Sequence, residues 1–383
     1  MSKWKMVKLG DVGLIVTGNT PPTKNSEYYE NMDIPFYKPN DLKEDTVSKL
    51  NIAYMSVDNR AKEKLRVLPM NSILVTCIGI IGKVGISTNV ECATNQQINA
   101  IIPNCELCDS MYLAYVIFSK QKYMQDIANA PVVPIINKSD FSQIEIPLPP
   151  LDEQKKIAAE LDKINELIAK RKKQIEKLDL LVKSQFVEMF GDNNFKTKVL
   201  KDMCLKITDG THQSPEFIQY GIPFLFISNI VNNKIVYETN KFISEEEYNI
   251  LIKRTPIEIG DILLTTVGSY GNPAIVETEY KFCFQRHIGY IKPKKELLNS
   301  YFLKYYFISP KGKEEMENRV KGIAQKTLNL SELKNIPIQL PPMSLQIKFA
   351  DFATEVEQTK GKMQIALSKL ETLYKARMQE YFS

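Results

Sequence analysis

One short stretch of the sequence has the residue types of a phosphate-binding loop. Residues 79–83 (GIIGK) place two glycines before a lysine. The spacing is two residues short of such a loop, and no Ser or Thr follows the lysine. The stretch therefore favours a flexible turn after a strand, with Lys83 near a phosphate.

A metal site or a catalytic triad has even less support. Cys105 and Cys108 have the spacing of a metal-binding pair, but no second pair is present. The two histidines, His212 and His287, lie in the other half of the chain. No Asn-Pro-Pro-aromatic methyltransferase loop occurs. The sequence thus predicts no catalytic residues and no metal site.

The chain does offer polar side chains that suit DNA, placed where turns leave predicted strands. Asn and Gln can bond adenine, Arg can bond guanine, and Lys and Thr serve phosphates. The candidate DNA-binding residues of the first half are Thr20, Lys38, Asn40, Thr76, Lys83, Gln96 and Gln97. Those of the second half are Thr211, His212, Ser228, Asn229, Thr265, Ser269, Tyr270, Gln285, Arg286 and His287.

Taken singly, each of these residues is typical of an ordinary loop. The runs 96–97 and 285–287 are stronger candidates, because they occupy equivalent places before a predicted strand yet differ in side chains. Two domains with the same backbone could recognise different DNA sequences in this way.

The composition limits the classes of protein to which the chain can belong. The 383 residues are 44% hydrophobic and 25% charged, which leaves room for two hydrophobic cores. A net charge of +5 permits a polyanionic partner without requiring one. No signal peptide opens the chain, and no apolar run approaches the ~18 residues of a membrane span. We expect a cytoplasmic protein whose six cysteines are reduced.

The elements that must position these residues appear twice. A shift of 192 positions lays residues 144–150 on residues 336–342, and the register continues until Phe190 falls on Phe382. Each copy begins with Pro-Pro and continues for about forty residues without proline, which predicts a helix roughly 60 Å long.

Apolar residues follow each predicted helix with a period of about 3.5, the pattern of a helix that packs on another helix. The predicted helix-pairing residues are Ile157, Leu161, Ile164, Ile168, Ile175, Leu178, Val182, Phe349, Val356, Met363, Leu367, Leu370 and Tyr374. Each helix could instead be an amphipathic helix on its own domain. The two matched copies favour mutual pairing.

The segments before the helices share apolar landmarks, such as residues 73–76 and 262–265. The chain is therefore predicted as an α+β tandem repeat with a pseudo-twofold axis and a pair of long antiparallel coiled-coil helices. Residues 1–150 and 193–342 form two mixed α/β globules, and residues 151–192 and 343–383 form the helices.

Several motifs resemble those of the DNA specificity subunit of type I restriction–modification systems. They are residues 148–154 (LPPLDEQ), residues 340–346 (LPPMSLQ), residues 189–192 (MFGD), residues 18–22 (GNTPP) and residues 209–212 (DGTH). The resemblance covers essentially the whole chain. One departure is the missing Glu before Gln346, which predicts a weaker cap on the second helix.

The resemblance implies that the globules are two target recognition domains, each reading one half of a split site in double-stranded DNA. The paired helices would set the spacer and dock two methylation subunits. S-adenosylmethionine, ATP and magnesium are expected in the methylation and restriction/translocase partner subunits, and no cofactor is expected in this chain.

Two other functions stay open on the sequence. A stand-alone nuclease or methyltransferase would need a carboxylate cluster or a cofactor loop. A coiled-coil protein-interaction scaffold would have no sequence-specific DNA role.

Overall fold

The computed structural model of the chain describes residues 4–128, 133–191, 195–322 and 326–382. The chain divides into two compact units, of which unit 1 is Met1–Lys172 with Ile365–Ser383 and unit 2 is Lys173–Gln364. The boundary between the units falls inside each long helix. The predicted junction at residues 192–193 lies outside the described residues, and the division into four segments stays a prediction.

Strands and short helices alternate in the first part of unit 1. The strands are β1 (Lys5–Lys8), β2 (Gly13–Thr17), β3 (Ile34–Tyr37), β4 (Ser48–Leu50), β5 (Ser56–Val57), β6 (Leu68–Pro69), β7 (Ile73–Thr76), β8 (Val84–Ser87), β9 (Glu91–Thr94), β10 (Ile98–Pro103) and β11 (Glu145–Leu148). The helices are α1 (Leu9–Val12), α2 (Ser110–Ser119), α3 (Gln121–Ile127), α4 (Lys138–Ser142) and the long α5 (Leu151–Phe190), with 3-10 turns at Ser26–Tyr29, Pro39–Asp41 and Asn59–Lys64.

The second part of the chain repeats this order. Its strands are β12 (Thr197–Val199), β13 (Cys204–Asp209), β14 (Ile222–Leu225), β15 (Ile230–Val231), β16 (Lys234–Ile235), β17 (Phe242–Ile243), β18 (Ile262–Thr265), β19 (Pro273–Ile275), β20 (Cys283–Phe284), β21 (Ile288–Pro293) and β22 (Pro337–Gln339). Its helices are α6 (Glu245–Leu251), α7 (Ser300–Ile308), α8 (Pro310–Glu317), α9 (Leu330–Lys334) and the long α10 (Met343–Phe382), with 3-10 turns at Leu200–Met203 and Ile227–Asn229.

The two units build corresponding sheets, and each of the two larger sheets has one strand fewer in unit 2. The order β2-β10-β7-β8-β4 in unit 1 corresponds to β13-β21-β18-β19 in unit 2. A second sheet, β5-β3-β9-β6, corresponds to β17-β14-β20, and the pair β1-β11 corresponds to β12-β22. The pairs β3–β9 and β14–β20 are parallel. The internal repeat predicted from the sequence is therefore a repeat of topology.

The central strands follow from continuous apolar runs. All four residues of β7 and of β18 are buried, as expected for strands covered on both faces. The helices that cover these sheets begin at side-chain caps. Asp109 accepts a hydrogen bond from the Tyr112 amide at 2.9 Å, and Asn299 accepts one from the Tyr301 amide at 2.9 Å.

Both long helices begin immediately after Pro-Pro. The amides of residues 153 and 154 donate to Pro150 O at 2.9 and 3.0 Å, and those of residues 345 and 346 donate to Pro342 O at 3.0 and 3.2 Å. Glu153 lies at the surface, 3.6 Å from Lys156. The backbone bonds of the first turns are thus the same in both copies. The first turn of α5 contains Asp152 and Glu153 and that of α10 contains no acidic residue, so the weaker second cap stays a prediction.

Within each unit, segments of the two long helices run antiparallel. In unit 1, Arg377 and Tyr381 contact Glu160 at 2.9 and 2.7 Å, while Glu371 contacts Lys172 at 3.4 Å. In unit 2, Lys360 pairs with Asp179, and the rings of Phe349 and Phe186 lie 5.2 Å apart. The residue numbers of the contacting side chains increase along one helix as they decrease along the other. The predicted fold class with antiparallel long helices is therefore confirmed.

The helices also complete the hydrophobic cores of their units. In unit 1, the Phe382 ring lies 5.7 Å from Tyr112, and Tyr374 lies 6.5 Å from Tyr115. In unit 2, Phe190 packs 5.0 Å from Phe302. Aromatic pairs of this kind contribute about 0.5–1.5 kcal/mol beyond the area they bury. Each long helix therefore packs on a globule as well as on the other helix.

Burial along the helices follows the predicted apolar pattern in part. The buried members of the predicted helix-pairing set are Ile157, Leu161, Ile164, Ile168, Val182, Phe349, Val356, Leu367 and Tyr374. The half-buried members are Ile175, Leu178, Met363 and Leu370.

Candidate nucleic-acid interface

The turns that carry the predicted DNA-binding residues gather at one edge of the sheets in each unit. Parallel strands end at the same edge, and Tyr37 of β3 lies opposite Thr94 of β9, as Leu225 of β14 lies opposite Phe284 of β20. The start of β10 pairs with the ends of β2 and β7, and β21 pairs with β13 and β18 in the same way.

We call this part of each unit the loop edge. It comprises residues 17–20, 38–40, 66, 76–83 and 95–97 in unit 1, and residues 209–212, 227–229, 254, 265–272 and 285–287 in unit 2.

A tight turn before β10 and before β21 forms the centre of the loop edge. The Ile98 amide donates to Asn95 O at 3.2 Å, and the Ile288 amide donates to Gln285 O at 3.1 Å. Gln97 O accepts from the Cys77 amide at 2.8 Å, and His287 O accepts from the Thr266 amide at 2.9 Å. These matched bonds place Gln96 where unit 2 has Arg286, and Gln97 where it has His287.

In unit 1 the exposed tip of this turn is an oriented amide. The Thr20 hydroxyl donates to Gln96 Oε1 at 2.9 Å, and both side chains are exposed. Beside them, Asn95 Nδ2 donates to the Oε1 of half-buried Gln97 at 2.8 Å. Gln96 therefore presents its amide nitrogen to a ligand while Thr20 holds its oxygen, and Gln97 braces the turn.

In unit 2 the same tip is cationic. Arg286 is exposed, and its Nε donates to His287 Nε2 at 3.4 Å. Burial, and then the positive charge of Arg286, lower the pKa of His287. A neutral His287 can accept this bond, which leaves the two terminal nitrogens of the guanidinium free.

Each loop edge is supported by an arginine that was not among the predicted residues. Arg66 Nη1 donates to Thr17 O at 2.8 Å, and Arg254 Nε donates to Asp209 O at 3.1 Å. Thr17 and Asp209 are the last residues of β2 and β13. The arginines lie 188 positions apart, so a comparison of the two repeats would have found them.

The strand ends that these arginines hold differ between the units. Asp209 is nearly buried, and its carboxylate binds the Arg254 guanidinium and His212 Nε2, the latter at 2.8 Å. In unit 1, the Thr17 hydroxyl donates to Asn99 Oδ1 at 2.7 Å. Next to Asp209, half-buried Thr211 donates its hydroxyl to Gln213 O at 3.0 Å.

In the turns that follow β7 and β18, one threonine in each unit has a structural role. Thr76 and Thr265 are buried, and each hydroxyl accepts a hydrogen bond from the amide seven residues later, at 3.0 Å in both cases. The glycines of these turns, at 79, 82, 268 and 271, have positive φ angles of 67–86°. The predicted direct contact of the two threonines with DNA does not fit their burial.

Lys83 is also held inside unit 1. Its side chain is buried, and its Nζ lies 3.3 Å from Glu44 Oε1. The predicted turn is present, but this ammonium is not exposed toward a phosphate. In unit 2 the turn instead presents exposed Ser269 and half-buried Tyr270, whose ring lies 6.0 Å from Lys326 Nζ.

The turns after β3 and β14 present exposed polar groups beside the tip, two in unit 1 and one in unit 2. Lys38 and Asn40 are exposed in unit 1, as is Ser228 in unit 2. Asn229 is buried, and its Nδ2 donates to Val236 O and Glu238 O at 2.9 and 3.0 Å. Asn229 therefore closes a loop rather than facing a ligand.

A sequence profile for the family described as type I restriction modification DNA specificity domain matches residues 1–178 and again residues 192–369. The chain belongs to this family. The resemblance to this family that the sequence motifs indicated is confirmed, and the two matches coincide with the two repeats.

Known members of the DNA specificity family resemble the chain along most of its length. It is 29% identical over 376 residues to the MjaIX specificity subunit of Methanocaldococcus jannaschii, covering 90% of this chain and 85% of the relative. It is 27% identical over 407 residues to the MjaVIII subunit of the same organism, covering 96% and 90%. A solved type I restriction–modification S subunit from M. genitalium matches with a TM-score of 0.61 and 15% identity, covering 100% and 96%.

The six cysteines are free thiols, all buried except Cys105. Within the described ranges, no group of three or more His, Cys, Asp or Glu side chains could hold a metal ion. Along the same ranges, no helix is both long and apolar enough to cross a membrane.

Proposed function

We propose that each loop edge reads one half of a bipartite site in double-stranded DNA. The observation that carries this proposal is the matched pair of edges, with the same backbone and different exposed side chains. Base edges are distinguished by such side chains in the major groove, whereas phosphate contacts carry no sequence information. Gln96 and Arg286 at equivalent tips give the two units different hydrogen-bonding capacity.

The long helices set the spacer between the half-sites and dock the methylation subunits, two copies in the complete assembly. Each helix has 40 residues and spans about 60 Å. Apolar side chains remain exposed along both: Leu167 (43%), Ile365 (62%) and Leu373 (43%) in unit 1, and Leu180 (60%), Leu181 (46%) and Ile347 (46%) in unit 2. A docked subunit would cover apolar side chains such as these.

Catalysis belongs to the partner subunits. Methylation subunits use S-adenosylmethionine, and restriction/translocase subunits use ATP and magnesium, while this chain supplies the DNA sequence preference in the cytoplasm. The support is chemical: the titratable and polar groups of the loop edges pair with one another, bond to the protein's own backbone or face solvent, as suits binding.

The test is selection of duplexes from a randomised library by the chain assembled with its methylation subunits, at two salt concentrations. We expect two short specified sequences separated by an unspecified spacer. Inserting one heptad into both α5 and α10 should change the spacer length and leave the half-sites unchanged. Selection of no sequence at either salt would favour a coiled-coil scaffold without sequence-specific DNA reading.

A further inference from the structure

At the tip of the loop edge the two units carry different exposed side chains on matching backbones. The same hydrogen bond closes the turn in both, at 3.2 Å in unit 1 and 3.1 Å in unit 2. Gln96 and Arg286 are the exposed side chains at the second position of that turn. The other side chains of the two turns are buried or half-buried, so we assign the difference in what the tips bind to these two.

The two side chains match different purines. Adenine presents an acceptor at N7 and a donor at N6 in the major groove, which an amide with one acceptor and one donor group can satisfy. Guanine presents acceptors at both N7 and O6, which require two donors. A glutamine has the first pattern and an arginine has the second.

Neighbouring residues orient each tip for this task. Thr20 donates to Gln96 Oε1, which identifies that atom as the acceptor and directs the amide nitrogen away from Thr20. The oxygen keeps a second lone pair for a base donor. His287 accepts from Arg286 Nε, so the guanidinium is held by its inner nitrogen and its outer nitrogens can donate as a fork.

We propose that Gln96 selects an adenine in the half-site read by unit 1, and that Arg286 selects a guanine at the corresponding position of the half-site read by unit 2. Thr20 and His287 are positioning residues that act through these two side chains. The inference rests on the proposed function, since it assigns one base to each loop edge.

The experiment exchanges the two tips. Duplex selection with the methylation subunits bound is carried out for the natural chain, Gln96→Arg and Arg286→Gln. We expect Gln96→Arg to change one adenine of one half-site to guanine, and Arg286→Gln to change one guanine of the other half-site to adenine. Each exchange should reverse the preference at that position, which we expect to be about 5- to 150-fold in the natural chain.

Matched controls separate base reading from general charge effects. Gln143→Arg adds the same charge at an exposed residue outside the loop edge, and Lys311→Gln removes a charge from exposed α8. Neither should change the selected sequence. Thr20→Val should weaken selectivity at the Gln96 position alone, because the amide loses its orienting donor.

Three results would overturn the inference. They are an unchanged selected sequence in both exchanges, a loss of affinity equal for all sequences, and a change at several positions of both half-sites. A uniform loss would assign the tips to phosphate contacts. Failure of the proposed function is distinguishable from all of these, because the natural chain would then select no bipartite sequence at all.

Discussion

Gln154 and Gln346, 192 residues apart, make the same three hydrogen bonds in the two units. Each Oε1 accepts from a helix-capping residue, the Asp109 amide at 2.9 Å and the Asn299 amide at 2.8 Å. Each Nε2 donates to a proline carbonyl, Pro149 O at 2.8 Å and Pro341 O at 2.9 Å. It also donates to a leucine carbonyl, Leu107 O at 3.0 Å and Leu297 O at 3.1 Å. Each glutamine thus ties the start of a long helix to its globule.

Replacing either glutamine should destabilise the protein by a similar amount. Both are fully buried. Gln154→Ala or Gln346→Ala leaves one buried proline carbonyl and two part-buried backbone groups without this partner, which should cost roughly 3 kcal/mol. Thermal melts followed by circular dichroism would measure the loss. Exposed Gln174→Ala on α5 and Gln358→Ala on α10 are the controls and should change little. Equal melting of all four variants would contradict this assignment.

Arg254 should be required for sequence preference in one half-site only. Its guanidinium holds both the Asp209 carboxylate and the backbone carbonyl of the same residue. Lysine cannot make this forked contact, so Arg254→Lys should lose preference almost as fully as Arg254→Ala. Duplex selection measures this, with the adjacent exposed Lys253→Ala as control. Loss of preference in both half-sites would mean that Arg254 acts on the whole molecule.

Lys304 should limit the stability of unit 2. It is 4% exposed on α7, at the position where α2 has Ala114. Burial lowers its pKa; the carboxylates of Glu357 and Glu277 oppose that shift, and the ammonium groups of Lys234 and Lys360 add to it. Lys304→Met keeps the packing and removes the buried charge, which should raise the free energy of unfolding by about 1 kcal/mol at neutral pH.

The advantage of Lys304→Met should shrink as the pH rises. Between the lowered folded pKa and the ordinary value near ~10.4, the unfolded lysine keeps its proton while the folded lysine has lost it. The natural chain therefore gains stability with pH across that window, and the variant has no such gain. Chemical unfolding of both proteins from neutral to alkaline pH checks this. A difference independent of pH, or a less stable variant throughout, would refute it.

The long helices and the repeat could be predicted because their signals are local or periodic. The Pro-Pro pairs before Leu151 and Met343 mark where α5 and α10 begin, and the apolar spacing marks the face that packs. The tips were also predictable, since residues 96–97 and 285–287 stand at the same distance before a strand in each repeat.

The rest of the site depends on contacts that leave little local pattern in the sequence. Arg66 and Arg254 bind backbone carbonyls, which every residue has, so only the recurrence of an arginine in both repeats points to these bonds. Thr76 was predicted to contact DNA because threonine suits phosphates, but its hydroxyl accepts the Lys83 amide inside the turn. Two-residue strands such as β5 and β17 form only where a longer strand pairs with them.

The most direct test of the account is the DNA sequence recognised after residues 1–150 are replaced by the first globule of another specificity subunit. The chimaera is assembled with its methylation subunits, and the methylated positions are mapped on genomic DNA. We predict that one half-site changes to that of the donor protein, while the other half-site and the spacer stay the same. A change in both half-sites, or in neither, would contradict the reading of one half-site by each unit.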